Sequence, residues 1–269
     1  GKVFYQKYRT GDPVAPVKVA GKGEKGKTGT RITFMPDGKI FKNRIFKFDT
    51  IAERLRELAF LNPSVTLVIL DLRNKNEQTE KFHFEGGLRE FVKYMRPRLD
   101  LYRKLVTGNI IFQKRLEGIG PINTDICLRY GATGPVIRGS GVPCDVRKVE
   151  SYSVYPELDF DIPVFPEADC MARYNVRMEE MEQSLRIIEQ AVAKLPDGPI
   201  MATKVPRVVK PPAGDYYYAV EAARGRFAVR LVSDGKDTPY RLKLRTPSFA
   251  NLTLFEEASA GMMLPDAVS

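Results

Sequence analysis

Few residues in this chain are placed to do acid–base, nucleophilic or metal chemistry. There is one histidine, His83, in the run Lys81-Phe82-His83-Phe84-Glu85. That alternation is a strand pattern, and it puts His83 on the polar face. A His-Glu-x-x-His zinc site or a Ser-His-Asp triad would have to use this residue. The three cysteines, Cys127, Cys144 and Cys170, are well separated and form no Cys-x-x-Cys pair. They give neither a disulfide framework nor a cysteine-only metal site, and fit a reducing compartment. A Gly/Lys loop, Lys22-Gly23-Glu24-Lys25-Gly26-Lys27, precedes Thr28-Gly29-Thr30. The spacing is wrong for a phosphate-binding P-loop. Three more glycine-rich stretches, Gly118–Pro121, Gly131–Pro135 and Arg138–Pro143, lack the Gly-x-Gly-x-x-Gly order of a dinucleotide loop. Their ordinary use is backbone freedom at turns. What remains is a charged set: Arg138, Asp145, Arg147, Arg177, Glu180 and Arg186. Unpaired buried charges cost several kcal/mol, so such a set is expected to pair.

The elements that must position these residues read as α+β. Strands are expected at Lys2–Arg9, Val14–Ala20 and Thr28–Met35, separated by Gly11-Asp12-Pro13 and ended by Pro36-Asp37-Gly38. Thr50-Ile51-Ala52-Glu53 has the form of a capping box, so a helix is expected from Thr50 to Asn62. Val65–Leu72 and Glu80–Glu85 suit a hairpin, and Gly86-Gly87 leads into a helix from Leu88 that continues through Leu105. A short helix follows at Asn123–Tyr130, with Asn123 or Thr124 as its cap. The strongest periodicity spans Asp169–Leu195, where Met171, Tyr174, Met178, Met181, Leu185, Ile188, Val192 and Leu195 recur at spacings of three and four. That predicts a long helix with a bundle-type apolar seam, stopped by Asp197-Gly198-Pro199. Strands follow at Tyr216–Ala222, Phe227–Val232 and Tyr240–Arg245, with a hairpin signal at Ser233-Asp234-Gly235-Lys236, and a last helix from Ser248 to about Ala260. The picture is a small antiparallel sheet with helices, then a helical bundle with a second small antiparallel sheet.

The 269 residues suffice for one large or two ordinary domains. No stretch approaches the ~18 consecutive apolar residues of a membrane helix, and no signal peptide is visible. The net charge of +10 is uneven. Residues 1–95 carry 19 Lys+Arg against 11 Asp+Glu, and residues 96–269 carry 24 against 22. The first third is therefore a solvated basic surface or a patch for phosphates and nucleic acid.

Residues 1–95 resemble the DNA gyrase B family. The likeness rests on Thr28-Gly29-Thr30 with Ile32–Asp37, then Leu55–Pro63, then Phe84-Glu85-Gly86-Gly87-Leu88, in that order. It implies the end of an ATP-binding domain and the start of a transducer domain. Gly29 and Thr30 would then lie at the nucleotide, with Thr30 beside adenine, ATP/Mg as cofactor and DNA as a partner. The family's catalytic glutamate, adenine-binding aspartate and phosphate lid are expected upstream, so no ATPase activity is expected.

Residues 96–269 resemble the NuoD family of NADH-quinone oxidoreductase, respiratory complex I. The likeness rests on Leu105–Asn109, Glu117–Gly120, Gly139–Lys148, Leu158–Val164, Arg177–Met181, Gln183–Gln190, Leu231–Gly235 and Arg245–Ala250. It implies a quinone-reduction module in the peripheral arm, with iron–sulfur subunits as partners and NADH and quinone as reactants of the whole complex. It also implies a cytoplasmic bacterial location, peripheral on the inner membrane through those partners. The quinone-headgroup histidine and tyrosine are expected before the matching stretch, so no catalytic residue, metal or cofactor is assigned to this chain alone. Arg138, Asp145, Arg147, Arg177, Glu180 and Arg186 are left as structural ion pairs or the walls of a quinone cavity. The chain thus reads as parts of two families joined near residue 95, with an inactive fusion or artificial chain as the third reading, and with open sheet edges and an exposed apolar seam that favour association.

Overall fold

The computed structural model describes residues 1–73, 78–196, 198–199, 201 and 204–266. The expected helix stop at Asp197 lies outside them. The chain forms two compact units, one of residues 1–56 and 67–82, the other of residues 57–66 and 83–269. Residue 95, where the two resemblances meet, falls inside a continuous helix of the second unit.

In the first unit, β1 (Lys2–Tyr5) pairs antiparallel with β4 (Lys18–Lys22), and the short β2 (Tyr8–Arg9) pairs with β3 (Asp12–Pro13). The expected strand Thr28–Met35 does not form; those residues have no regular structure. The physical reason is the lack of a neighbour. Ile32, Phe34 and Met35 are all exposed, and among the described residues no strand pairs with the segment. Without a ladder, strand propensity alone does not hold an extended chain. The helix α1 (Phe48–Leu61) begins two residues before Thr50, so Thr50 lies within it and the expected capping box is not its N-terminus. The hairpin is present as β5 (Leu67–Asp71) and β6 (Gln78–Phe82), in register Leu67 to Phe82.

The second unit is organised by two helices. α2 (Leu88–Tyr102) continues through a π-helical turn, Arg103–Thr107, as the expected unbroken run required. α7 (Cys170–Ala193) is the long helix, and its N-cap Asp169 accepts from Ala172 N and from Gly118 N, both at 2.7 Å. Val92 and Leu99 of α2 bury against Met178 and Leu185 of α7, with Met95, Tyr174 and Ile188 half-buried around them. The expected eight-residue seam is therefore shorter than its periodicity suggested. Met181 and Leu195 are exposed, while Ala172 and Val176, absent from the seam, are fully buried. Periodicity marks one stripe, but α7 is packed on two sides. The second side meets α5 (Pro135–Arg138). There a side chain at Gly139 would stand 3.0 Å from the Arg173 backbone nitrogen, so the glycine allows the close approach.

Between these helices lie α3 (Ile110–Leu116), α4 (Thr124–Tyr130, capped by Asn123), α6 (Val146–Val149) and a single 3₁₀ turn at Tyr155–Glu157. A three-stranded antiparallel sheet follows, ordered β7 (Gly214–Ala222), β8 (Gly225–Ser233), β9 (Arg241–Arg245). Gly134 (φ +71°) packs on the β7–β8 turn so tightly that a Cβ there would lie 2.5 Å from Gly225 Cα. The last expected helix is broken in two, α8 (Pro247–Leu252) and α9 (Phe255–Ser259). The break between them places Leu254, only 1% exposed, in the cluster of Ile122, Cys127, Ala132 and Ile137.

Truncating a buried leucine removes transfer energy and leaves a cavity. Leu185→Ala is expected to lower the unfolding free energy by about 2–5 kcal/mol, whereas Met181→Ala, on the exposed side of the same helix, changes it little. Urea denaturation followed by circular dichroism measures both. Equal losses would mean that the periodic seam, rather than the observed packing, holds α7.

A buried arginine and its carboxylates

The charged set expected to pair is divided by the fold. Four of its six members, Arg138, Asp145, Arg147 and Glu180, come together. They arrive from different elements: Arg138 ends α5, Asp145 caps α6, Arg147 lies in α6 and Glu180 projects from α7. Arg138 is 1% exposed. Its Nη1 donates to the Cys144 carbonyl at 2.7 Å and to Glu221 Oε1 at 2.9 Å. Asp145 Oδ2 is 3.6 Å from the same nitrogen, and Glu180 Oε1 lies 2.5 Å from Nη2. The last contact pairs the two charges without a well-aligned hydrogen bond at Glu180 Oε1, and Arg138 Nε has no partner among the described residues.

Asp145 does three things at once. Its carboxylate accepts from Arg147 N at 2.9 Å, which caps α6, and takes the Arg147 fork at 2.9 and 2.6 Å. It also stands beside Arg138. The Arg147 guanidinium lies 4.9 Å from the Phe160 ring centre, where cation and ring attract. Glu221, on β7, bridges outward as well: its Oε2 accepts from Val146 N at 3.1 Å, and its own N–H donates to Tyr152 Oη at 3.1 Å.

The site holds two guanidinium groups and three carboxylates. Burial pushes the Glu180 and Glu221 carboxyls up, against the opposing pull of Arg138. Burial acts on Asp145 in the same sense, but the Arg147 hydrogen bonds and the two cations outweigh it and hold this carboxyl below its usual value. The same pairing raises Arg147 in spite of its burial. The geometry can fix three chain segments against one another and keep charge inside the protein. It presents no exposed nucleophile.

The remaining sequence candidates lie elsewhere. Arg177 is exposed and donates to the Arg173 carbonyl at 3.3 Å. Arg186 pairs with Asp159 and Asp161 on the surface. Gly29 and Thr30 are exposed in an irregular stretch of the first unit. Glu221 was missed, although the one carboxylate late in the apolar run Tyr216–Ala222 was a signal for it. Cys127 is buried with its Sγ 3.3 Å from Ser140 Oγ, and burial pushes the Cys127 and Cys144 thiols up. Among the described residues no group of three His, Cys, Asp or Glu side chains is arranged to hold a metal ion.

Comparison with known proteins places this architecture. The chain matches the family described as the respiratory-chain NADH dehydrogenase 49 kDa subunit over residues 77–211 and 205–269, and it belongs to that family. Its relatives are named as NADH-quinone oxidoreductase subunits of the D type. The one from Opitutus terrae is 68% identical over 186 residues, covering 69% of this chain and 47% of the relative. The one from Desulfotalea psychrophila is 61% identical over 186 residues, covering 69% of this chain and 50% of the relative. The chain spans about half the length of the curated relatives it matches. The family match starts at residue 77, within the stretch that resembles gyrase B, and these comparisons give no support to a gyrase portion, to ATP/Mg or to a topoisomerase role. Every motif quoted for the complex I likeness falls inside the matched residues.

The cluster predicts an ordered set of stabilities. Removing the cation strands the largely buried Glu180 and Glu221 and leaves Asp145 with Arg147 alone, so Arg138→Met should cost about 3–5 kcal/mol, the usual loss on breaking a buried pair. Glu221→Gln, which keeps a hydrogen-bonding side chain, should cost less. The pH dependence has two opposite parts. Asp145, lowered from 3.8, contributes stability above that pH which is lost as the pH falls through its folded value. Glu180 and Glu221, raised from 4.5, contribute stability below that pH which is lost as the pH rises through their folded values. Glu221→Gln should therefore flatten the decline above pH 4.5, and Asp145→Asn should flatten the decline below 3.8. Denaturant titrations across that range read both limbs.

Proposed function

We propose that this chain serves as the NuoD part of a complex I quinone-reduction module, and that it works only in combination with neighbouring subunits. The observation that carries the reading is the 68% and 61% identity to proteins named as D-type subunits of NADH-quinone oxidoreductase. The internal geometry is in keeping with it. The stretch Gly131–Lys148 supplies Arg138, Asp145 and Arg147, which lock α5, α6, α7 and β7 together. Arg138 and Asp145 are buried and Arg147 is largely covered, so their role is to hold the wall of a quinone cavity completed by other parts of the complex, not to touch quinone. The electron carriers and NADH belong on that reading to partner subunits. Among the described residues no helix is long and apolar enough to cross a membrane. Association with the cytoplasmic face of the bacterial inner membrane would therefore run through partners.

Co-expression with tagged iron–sulfur subunits of a close relative's complex tests the proposal. The expected result is stoichiometric co-purification of the chain, no quinone reduction by the chain alone, and no ATP turnover. Arg138→Met should abolish the co-purification while Arg186→Ala leaves it intact. Failure of the unmodified, folded chain to associate, or ATP hydrolysis by it, would overturn the reading.

A further inference from the structure

The three-stranded sheet has two unlike faces and an open edge. In the antiparallel register Lys243 lies across from Arg230, which lies across from Tyr217; Arg245 lies across from Ala228, and Arg241 from Val232. These residues share one face. Leu242 and Leu244 point to the other, opposite Leu231 and Val229, and are 53% and 55% exposed. β9 is the outer strand, and among the described residues no backbone group of Arg241–Arg245 bonds to anything beyond β8. The sequence Arg241-Leu242-Lys243-Leu244-Arg245 therefore offers a free ladder with alternating basic and apolar side chains.

The basic face is not balanced by this chain's own acids. Asp215 is taken by Arg230. The Arg245 guanidinium is tied to the carbonyls of Gly131 and Arg226. Arg241 and Lys243 have no acidic partner among the described residues. Beside Lys243 the face dips into a shallow cleft lined by Asp215, Tyr217, Arg230 and Arg245, with the small, buried Ala228 as its floor.

We propose that β9 is a docking edge for an extended protein segment whose acidic side chains alternate with aliphatic ones. Backbone pairing with β9 would supply the affinity, as in strand addition generally. The acidic side chains would meet Arg241 and Lys243 and enter the cleft over Ala228. The aliphatic ones would continue the row of Leu242 and Leu244. Cross-strand pairs of opposite charge stabilise a ladder and like charges weaken it. That rule excludes a second copy of this chain, because antiparallel pairing of β9 with itself sets basic residues against basic residues. Basic residues on an edge usually discourage pairing; here they select against all but an acidic partner.

The test uses the whole chain and three short fluorescent peptides. One alternates glutamate with valine, one alternates lysine with valine, and one repeats the acidic sequence with alternate backbone nitrogens methylated. Fluorescence anisotropy at fixed salt is expected to show binding of the acidic peptide only, at least about tenfold tighter than either other peptide, a difference of about 1.4 kcal/mol. Lys243→Glu, an exposed substitution, should lose at least about tenfold for the acidic peptide. Hydrogen exchange should show new protection at alternate amides of β9. The proposal is overturned if the methylated acidic peptide binds as well as the unmodified one, if Lys243→Glu changes nothing, or if no peptide binds.

Discussion

Arg138 is the charge around which the second unit closes. A guanidinium cannot shed its proton at any ordinary pH, so once buried it must be matched by acceptors. The matching comes from the Cys144 carbonyl, from Asp145 next to it, from Glu180 on the long helix and from Glu221 on the sheet. The partners lie at the start of α6, on α7 and on β7. Satisfying one side chain therefore fixes the position of α5, α6, α7 and β7 together. The close approaches at Gly134 and Gly139 serve the same end, because they let the segment bearing Arg138 lie against the β7–β8 turn and against α7.

That arrangement explains where the rest of the unit is apolar and where it is not. α7 uses one side for α2, through Met178 and Leu185, and another for α5, where Gly139 meets Arg173. The ion pairs between α2 and α7, such as Arg96 with Glu182 and Glu189 at 2.8 Å, are solvent-accessible and add little to that packing. What the chain leaves uncovered is equally patterned. Leu242 and Leu244 form an exposed apolar row on one face of the outer strand, and Arg241 and Lys243 lie on the other.

The contrast between the two units bears on how residues 1–95 are read. The first unit has paired strands and a hairpin, yet the segment holding Gly29 and Thr30 is exposed and irregular. In the second unit, Val92 and Met95 pack on α7 beside Leu99, and all three lie inside the family match that starts at residue 77. A helix propagates on local hydrogen bonds, and any apolar side chain at the correct spacing can fill its face. The helix and its packing thus run through residue 95 within one matched family.

Much of the fold was legible in the residues alone. The hairpin β5–β6, the continuous helix from Leu88, the Asn123 cap, the long helix after Asp169 and the three late strands all follow from local rules of period, capping and turn chemistry. So does the expectation that a set of Arg, Asp and Glu residues would pair. Local rules failed where a partner had to be supplied from far along the chain. Thr28–Met35 has strand-like residues but no neighbouring strand, and α7 has a second buried side that its seam does not announce. Which charges met was likewise a tertiary outcome. Arg177 and Arg186 sit on the same helix as Glu180, yet only Glu180 faces Arg138, and Glu221 joins from 83 residues away. Residue type determined that Arg138 would need acceptors once buried. Only the folded chain decided that it would be buried and which carboxylates would reach it, because burial depends on how elements pack and not on any one of them.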